Sequence, residues 1–174
     1  MSETQASTGA QTGALTICAV RPGEAGLVLS LVRELAVYEK LLHEVDATEA
    51  MMDAALFGPQ SRTFCDLAFL DDVPVGLALW FLNFSSFRGR NGIYLEDIFV
   101  RPAYRGRGIG KALLQRLAQR CVAEGWTRLE WAVLDWNTSA IDFYKAHGAV
   151  LMDEWTICRL TGDALTKFAA GQSG

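Results

Sequence analysis

The sequence predicts a mixed α/β sandwich built around a mainly antiparallel sheet flanked by helices. Three observations carry that reading. Strand-like apolar runs alternate with segments whose apolar residues recur three or four apart. Two neighbouring runs, Thr63 to Leu70 and Val73 to Leu82, are joined only by Asp71-Asp72, as an antiparallel hairpin requires. An apolar strand from Tyr94 to Val100 then leads through a glycine-rich turn into a helix. With 174 residues and a hydrophobic share of 51%, the chain suits one domain with a substantial core, expected over residues 15–170 between short tails, 1–14 and 171–174.

Met1 to Ala14 is rich in Ser, Thr, Gly, Gln and Ala, which predicts a disordered tail without the basic start or apolar core of a secretory signal. Leu15 to Val20 reads as the first strand. Arg21-Pro22-Gly23 turns into a helix carrying Leu27, Leu31, Leu35 and Tyr38 on one stripe, with Glu24 near its start. Asp46 or Thr48 caps a second, short helix that Gly58-Pro59 closes. After the hairpin, the more polar, glycine-containing stretch Asn83 to Asn91 reads as a loop. Ile109, Leu113, Leu117 and Cys121 mark the helix after the glycine turn, and Gly125 ends it. A strand from Thr127 to Leu134, a helix from Thr138 to His147, a last strand from about Ala149 to Leu160 and a short helix from Asp163 to Phe168 complete the expectation.

The chemistry concentrates in Tyr94 to Lys111, YLEDIFVRPAYRGRGIGK. Gly106, Gly108 and Gly110 let the backbone approach a ligand, and the first N–H groups of a helix have no partner within it. With the positive helix end and the charges of Arg101, Arg105, Arg107 and Lys111, these donors suit a phosphate group. Two phosphate-binding patterns fail on spacing: Lys111 is followed by Ala112 rather than Ser or Thr, and the glycines run G-x-G-x-G rather than G-x-G-x-x-G.

The formal charge of −4 gives no support to a nucleic-acid partner, because the basic residues are local. No apolar run approaches bilayer length, so no membrane association is expected. Cys18, Cys65, Cys121 and Cys158 are scattered in apolar runs without a C-x-x-C pair, and read as reduced core residues of a cytoplasmic protein. His43 and His147 are far apart, so no metal site is expected.

The run R-x-x-G-x-G, Arg105 to Gly110, resembles the acetyl-coenzyme A signature of the GNAT superfamily of N-acetyltransferases. Asn137 to Tyr144, NTSAIDFY, resembles that family's N-x-x-[AS]-x-x-[FL]-Y segment, and the likeness covers nearly all of Leu15 to Ala170. Within the family the sequence is most similar to the diamine (spermidine/spermine) and thialysine N-acetyltransferase branch, through Glu34 to Lys40 (ELAVYEK), Tyr94 to Val100 (YLEDIFV) and Asp135 to Ala149. The polyamine enzymes carry an acidic and aromatic pair before the YLED strand where this chain has Asn83-Phe84-Ser85-Ser86-Phe87. That departure favours a lysine-like acceptor over a polyamine.

The resemblance implies a sheet whose central strand pair splays, with acetyl-CoA as co-substrate lying in the gap. Backbone groups of Ile98, Phe99 and Val100 would hold its pantetheine arm. Arg105, Gly106, Arg107, Gly108, Ile109, Gly110 and Lys111 would hold the pyrophosphate, and Asn137, Ser139 and Tyr144 would complete the cofactor site. The acceptor, a small-molecule amine, would meet Tyr38, Glu39, Glu96, Glu130 and Trp131. Members of this branch are commonly homodimers, which extends the expectation to this chain.

An alkylammonium of pKa near 10 must lose a proton before attacking a thioester, and the departing thiolate takes one up. Glu96 is the candidate base, or else an anchor for the substrate's charge. Tyr144 is the candidate acid, since a phenol of ordinary pKa, about 10, is protonated at neutral pH. Tyr38 and Glu39 read equally as pocket residues or a solvated pair, and Trp131 equally as core. Asp97 follows Glu96 on a strand and is expected on the opposite face. Three functions fit: acetylation of a small amine, acetylation of protein lysines or N-termini, and non-catalytic acyl-CoA binding, which the presence of both Glu96 and Tyr144 disfavours.

Overall fold

The computed structural model describes residues 13–172, so the expected tail over 1–14 lies almost wholly outside the described residues. Compactness divides the chain into two units, one running up to Ala132 and one from Val133 onward.

The first unit holds a five-stranded sheet in the order β1-β2-β3-β4-β5: β1 Leu15–Ala19, β2 Thr63–Leu70, β3 Val73–Ser85, β4 Arg90–Val100 and β5 Leu129–Trp131. Neighbours from β1 to β4 are antiparallel and β5 joins β4 in parallel. Helices α1 (Ala25–Glu39) and α2 (Glu49–Phe57) lie between β1 and β2, and α3 (Ile109–Ala123) between β4 and β5. Alternation along the strands divides the core in two. Leu67, Leu77, Leu79 and Phe99 pack with Val28, Leu31 and Leu35 of α1 and Leu56 of α2. Ala78, Trp80, Ile93 and Leu95 pack with Ile109, Leu113, Leu117 and Cys121 of α3.

Local sequence explains the element ends. Thr48 caps α2, its Oγ1 accepting from the Met51 N–H at 3.3 Å. Asp71 and Asp72 both take positive φ, 49° and 63°, the two-residue turn that matches strand twist in a hairpin. Gly125, at φ 66°, closes α3.

Three expectations change. Asn83 to Asn91 is mostly strand: Asn83, Phe84 and Ser85 pair with Gly92, Asn91 and Arg90, leaving a tight turn over residues 86–89. Polar side chains suggested a loop, but a ladder is made by the backbone. The strand expected from Thr127 to Leu134 shrinks to Leu129–Trp131. The last expected strand does not form.

In the second unit α4 spans Thr138–Ala146 and α5 spans Gly162–Ala169. Residues 150–160 between them are irregular and exposed, Cys158 included, because strand-like composition without a ladder partner makes no strand. The other three cysteines stay half-buried or buried as expected.

A buried charge ties α3 to the sheet. Asp66 on β2 is 1% exposed and accepts from Trp80 Nε1 at 3.0 Å and Arg116 Nε at 2.7 Å, with Arg120 at 3.8 Å. Arg120 also lies over the Trp80 ring, on which Phe64 stacks. Removing one partner of such a carboxylate leaves it desolvated and under-satisfied. Arg116→Met is therefore expected to lower unfolding free energy in urea by about 2 kcal/mol, discounted because Arg116 is partly exposed, with Arg120→Met costing less.

Candidate active site

The site begins where β4 loses a neighbour. The parallel ladder pairs Ile93 with Leu129, Tyr94 with Glu130 and Leu95 with Trp131, and then stops. Glu96 to Val100 keep β3 on one side and, among the described residues, no strand on the other. Gly76 faces Val100 and Ala78 faces Ile98, and the Arg101 N–H donates to Val75 C=O at 2.9 Å. That pattern makes both pairs the non-bonded kind, so the N–H and C=O groups of Ile98 and Val100 point to the open edge. Phe99, between them, turns its backbone to β3 and buries its ring against α1. An extended amide chain finds a ready edge here.

At the end of that edge, Pro102–Tyr104 forms one 3-10 turn and Gly106 and Gly108 take φ of 76° and 79°, Gly108 preceding the first residue of α3. Among the described residues no backbone carbonyl accepts from the N–H groups of Gly106 through Lys111. No carboxylate there pairs with Arg107 or Lys111, and Arg107 lies over the Tyr104 ring. Free donors at a helix N-terminus beside uncommitted cations fit a pyrophosphate.

Two arginines of this stretch are already engaged. Arg101 grips Glu34 of α1 with two nitrogens, Nε at 2.9 Å and Nη2 at 2.7 Å, and donates to Pro74 C=O at 2.6 Å, which fastens α1 to the start of the loop instead of facing a phosphate. Arg105 donates through Nε to Val100 C=O at 2.9 Å and lies over the rings of Tyr38, 4.4 Å, and Phe99, 5.8 Å.

The opposite side of the site is acidic. The β3–β4 register slips so that Trp80 faces Leu95 while Leu79 faces Asp97, leaving Glu96 as the extra residue of a bulge. Strand alternation is broken at that point. Leu95 packs toward α3, whereas Asp97 shares the α1 face with Leu79, and Glu96, next to Tyr94 in the alternation, turns to that face too. The expectation that Glu96 and Asp97 face opposite ways is thereby corrected. Burial, with the charges of Glu96 and Glu39 behind it, pushes Asp97 up to about 6, and burial also raises Glu39. Glu39, Glu96 and Asp97 thus form one acidic group beside Tyr38.

Glu130 pairs with Tyr94, which places it on the carboxylate face, but its charge is spent. Asn83 Nδ2 donates to it and Arg128 Nε lies 2.9 Å away, an ion pair by distance rather than a well-directed hydrogen bond. Trp131, paired with Leu95, packs with the α3 cluster on the other face. In the second unit, Asn137 precedes α4 and accepts from Ser139 Oγ at 3.3 Å, and Tyr144 is buried with Phe143 edge-on to it at 5.5 Å.

The description "Acetyltransferase (GNAT) family" matches residues 29–149 of this chain. The chain belongs to the GNAT acetyltransferase family. It is thus an acetyl-CoA-dependent N-acetyltransferase by family. Thialysine N-epsilon-acetyltransferase of Bos taurus is 39% identical over 160 residues, covering 86% of this chain and 94% of that protein. L-ornithine N5-acetyltransferase of Arabidopsis thaliana is 33% identical, with 83% of each chain covered. Among solved structures, an integron cassette protein from the mobile metagenome of V. cholerae superposes with a TM-score of 0.76 at 28% identity, covering 89% of this chain and 97% of that one.

Within this GNAT chain, the residues that sequence reasoning placed on the donor side, Ile98, Val100 and Gly106 to Lys111, do fall along one edge and its adjoining loop. Asp97 was missed as part of the acidic group, and two consecutive acids in an apolar strand were the available signal. Among the described residues no set of three metal-ligating side chains gathers, and no helix is long and apolar enough to cross a membrane.

A carboxyl whose folded pKa, about 6, exceeds its unfolded 3.8 favours the fold when protonated. That contribution is fully present below the unfolded value and is lost as pH rises through the folded one. Asp97→Asn is therefore expected to raise Tm at pH 7.5 and to gain little at pH 4, the gap opening between those limits in thermal scans.

Proposed function

We propose that the protein transfers the acetyl group of acetyl-CoA directly to a primary amine of a small cationic molecule, a lysine- or ornithine-like amino acid or a diamine. The observation that carries this is the acidic group formed by Glu96 and Asp97, at the bulge where β4 leaves its ladder, with Glu39 at the end of α1. The names of the thialysine- and ornithine-acetylating relatives support the same substrate class. Acetyl-CoA supplies the acyl thioester.

Asp97 and Glu39 draw the alkylammonium in by charge, and their low-dielectric surroundings strengthen that attraction. Glu96, exposed on the bulge, takes the proton from the ammonium directly or through a water molecule, freeing the nitrogen lone pair. The nitrogen forms its bond to the acyl carbon as the carbon–sulfur bond breaks, and Tyr144, assigned from its place in the sequence match, returns a proton to sulfur. The open backbone groups of Ile98 and Val100 and the N–H groups of Gly106 to Lys111 orient the donor. No acyl-enzyme is needed: of the four cysteines, Cys18, Cys65, Cys121 and Cys158, none lies in the donor motifs.

Thiol release from acetyl-CoA tests this against thialysine, ornithine, lysine, putrescine, spermidine and a lysine-containing peptide. Turnover is expected to be fastest with thialysine or ornithine and to fall about a hundredfold or more in Tyr144→Phe. Faster turnover of the peptide than of any free amine, or none at all despite CoA binding, overturns the assignment. Because Asp97 loses its charge as pH falls through about 6, KM for the amine is expected to rise below that pH in the wild type and to lose this dependence in Asp97→Asn.

We also propose that the chain acts as a homodimer. Val150, Met152, Trp155 and Ile157 in the irregular segment and Leu165 and Phe168 on α5 are exposed apolar side chains, more than isolated surface residues account for. Light scattering is expected to give twice the mass of one chain, and one chain's mass in Trp155→Asp/Ile157→Asp.

A further inference from the structure

We infer that Arg105 is a latch coupling the two substrate sites: in the free protein it holds the Val100 carbonyl and the face of Tyr38, and a donor laid along the open edge of β4 displaces it and frees that face for a cationic amine. The inference rests on the proposed function, in that it takes the β4 edge as the donor's seat and the Glu39–Asp97 face as the acceptor's.

Three observations and one electrostatic constraint combine. Val100 C=O points to the open edge, and Arg105 Nε occupies it at 2.9 Å. The same guanidinium covers Tyr38 at 4.4 Å, at the end of α1 that carries Glu39. A ring face already covered by one cation does not serve a second, and the two positive charges repel. Finally, no carboxylate among the described residues lies within ion-pair distance of Arg105, in contrast to Arg101, which is fastened to Glu34. Among the described residues, Arg105 is therefore held by one hydrogen bond and ring contacts. An amide chain competing for Val100 C=O removes the hydrogen bond, and an anionic group at the Gly106–Lys111 donors offers the guanidinium a stronger partner. Both changes pull it off Tyr38. By linkage, the amine then binds more tightly after the donor, and the donor more tightly after the amine.

Calorimetric titration of thialysine into the protein, with and without saturating CoA, reads this coupling without turnover. The wild type is expected to bind thialysine about tenfold more tightly in the presence of CoA, the range a cation over an aromatic face supplies. Arg105→Gln retains a donor for Val100 C=O but no cation for Tyr38. It is expected to bind thialysine tightly from the outset, with CoA changing Kd less than twofold. A second reading needs no amine: the Arg105 Nε–H resonance, assigned by its loss in Arg105→Gln, is expected to be protected from exchange in the free protein and exposed once CoA is saturating. Equal coupling in wild type and variant, or an Nε–H signal unmoved by saturating CoA, overturns the latch while leaving the proposed function standing. Failure of the wild type to bind CoA overturns both.

Discussion

Among the described residues, Glu96 to Val100 of β4 have no strand beside them on one edge, and the site depends on that open edge. β5 is three residues long, so the parallel ladder ends at Leu95 while β4 runs on to Val100. Backbone polar groups left without partners are costly when dry, and proteins rarely leave them so. Here the groups of Ile98 and the Val100 N–H, with the Val100 C=O engaged by the Arg105 side chain instead of a strand, run directly into a loop whose N–H groups, Gly106 to Lys111, are also without backbone acceptors among the described residues. A row of amides without backbone partners thus follows the chain from strand to helix, interrupted only where Arg105 holds the Val100 C=O. A donor with an amide-bearing arm and a pyrophosphate satisfies both parts of the row, and this is the thermodynamic reason an acyl-CoA thioester suits the edge.

The bulge at Glu96 follows from the chemistry of the next residue. Had β4 kept strict alternation, Asp97 would have pointed into the cluster of Ile93, Leu95, Leu113 and Leu117, where a carboxylate has nothing to bond. One extra residue turns it to the α1 face instead. There it remains poorly solvated and beside Glu96 and Glu39, which is why its pKa rises. The strain of three carboxylates gathered together is relieved by a cation. Asp66 shows the alternative treatment of a buried acid: Arg116 and the Trp80 N–H answer it within the chain, so it fixes α3 to the sheet and asks for no ligand.

Much of this was legible in the sequence, for definite reasons. The Asp71-Asp72 hairpin, the Thr48 cap and the α3 stripe are local signals, and each formed where local chemistry put it. The glycine turn was legible because its meaning lies in spacing. What failed was non-local. Whether Asn83 to Asn91 is loop or ladder depends on its pairing across the turn, and whether residues 149–160 form a strand depends on an edge to join. The bulge depends on the register of β3 against β4, which alternation along one strand cannot reveal. Arg101 and Arg105 looked alike as members of a basic cluster, and only their partners, Glu34 for one and Tyr38 with Val100 for the other, separate them.

The two substrates proposed here carry opposite charge, and the chain keeps the complementary charges apart along a single strand. Glu96 and Asp97 lie at the bulge, with Glu39 of α1 beside them, while Arg107 and Lys111 lie past the end of β4. Interleaved, these groups would have paired with one another and left nothing for ligands, as Arg128 and Glu130 have done. Separated, each cluster is costly alone and is relieved when its ligand binds. Arg105 reaches from the basic loop to Tyr38, next to Glu39, and it stops on that ring rather than on a carboxylate. An ion pair with Glu39 would have been hard to displace, whereas an aromatic face holds a cation by roughly 0.5–2 kcal/mol, weakly enough for a bound donor to release it.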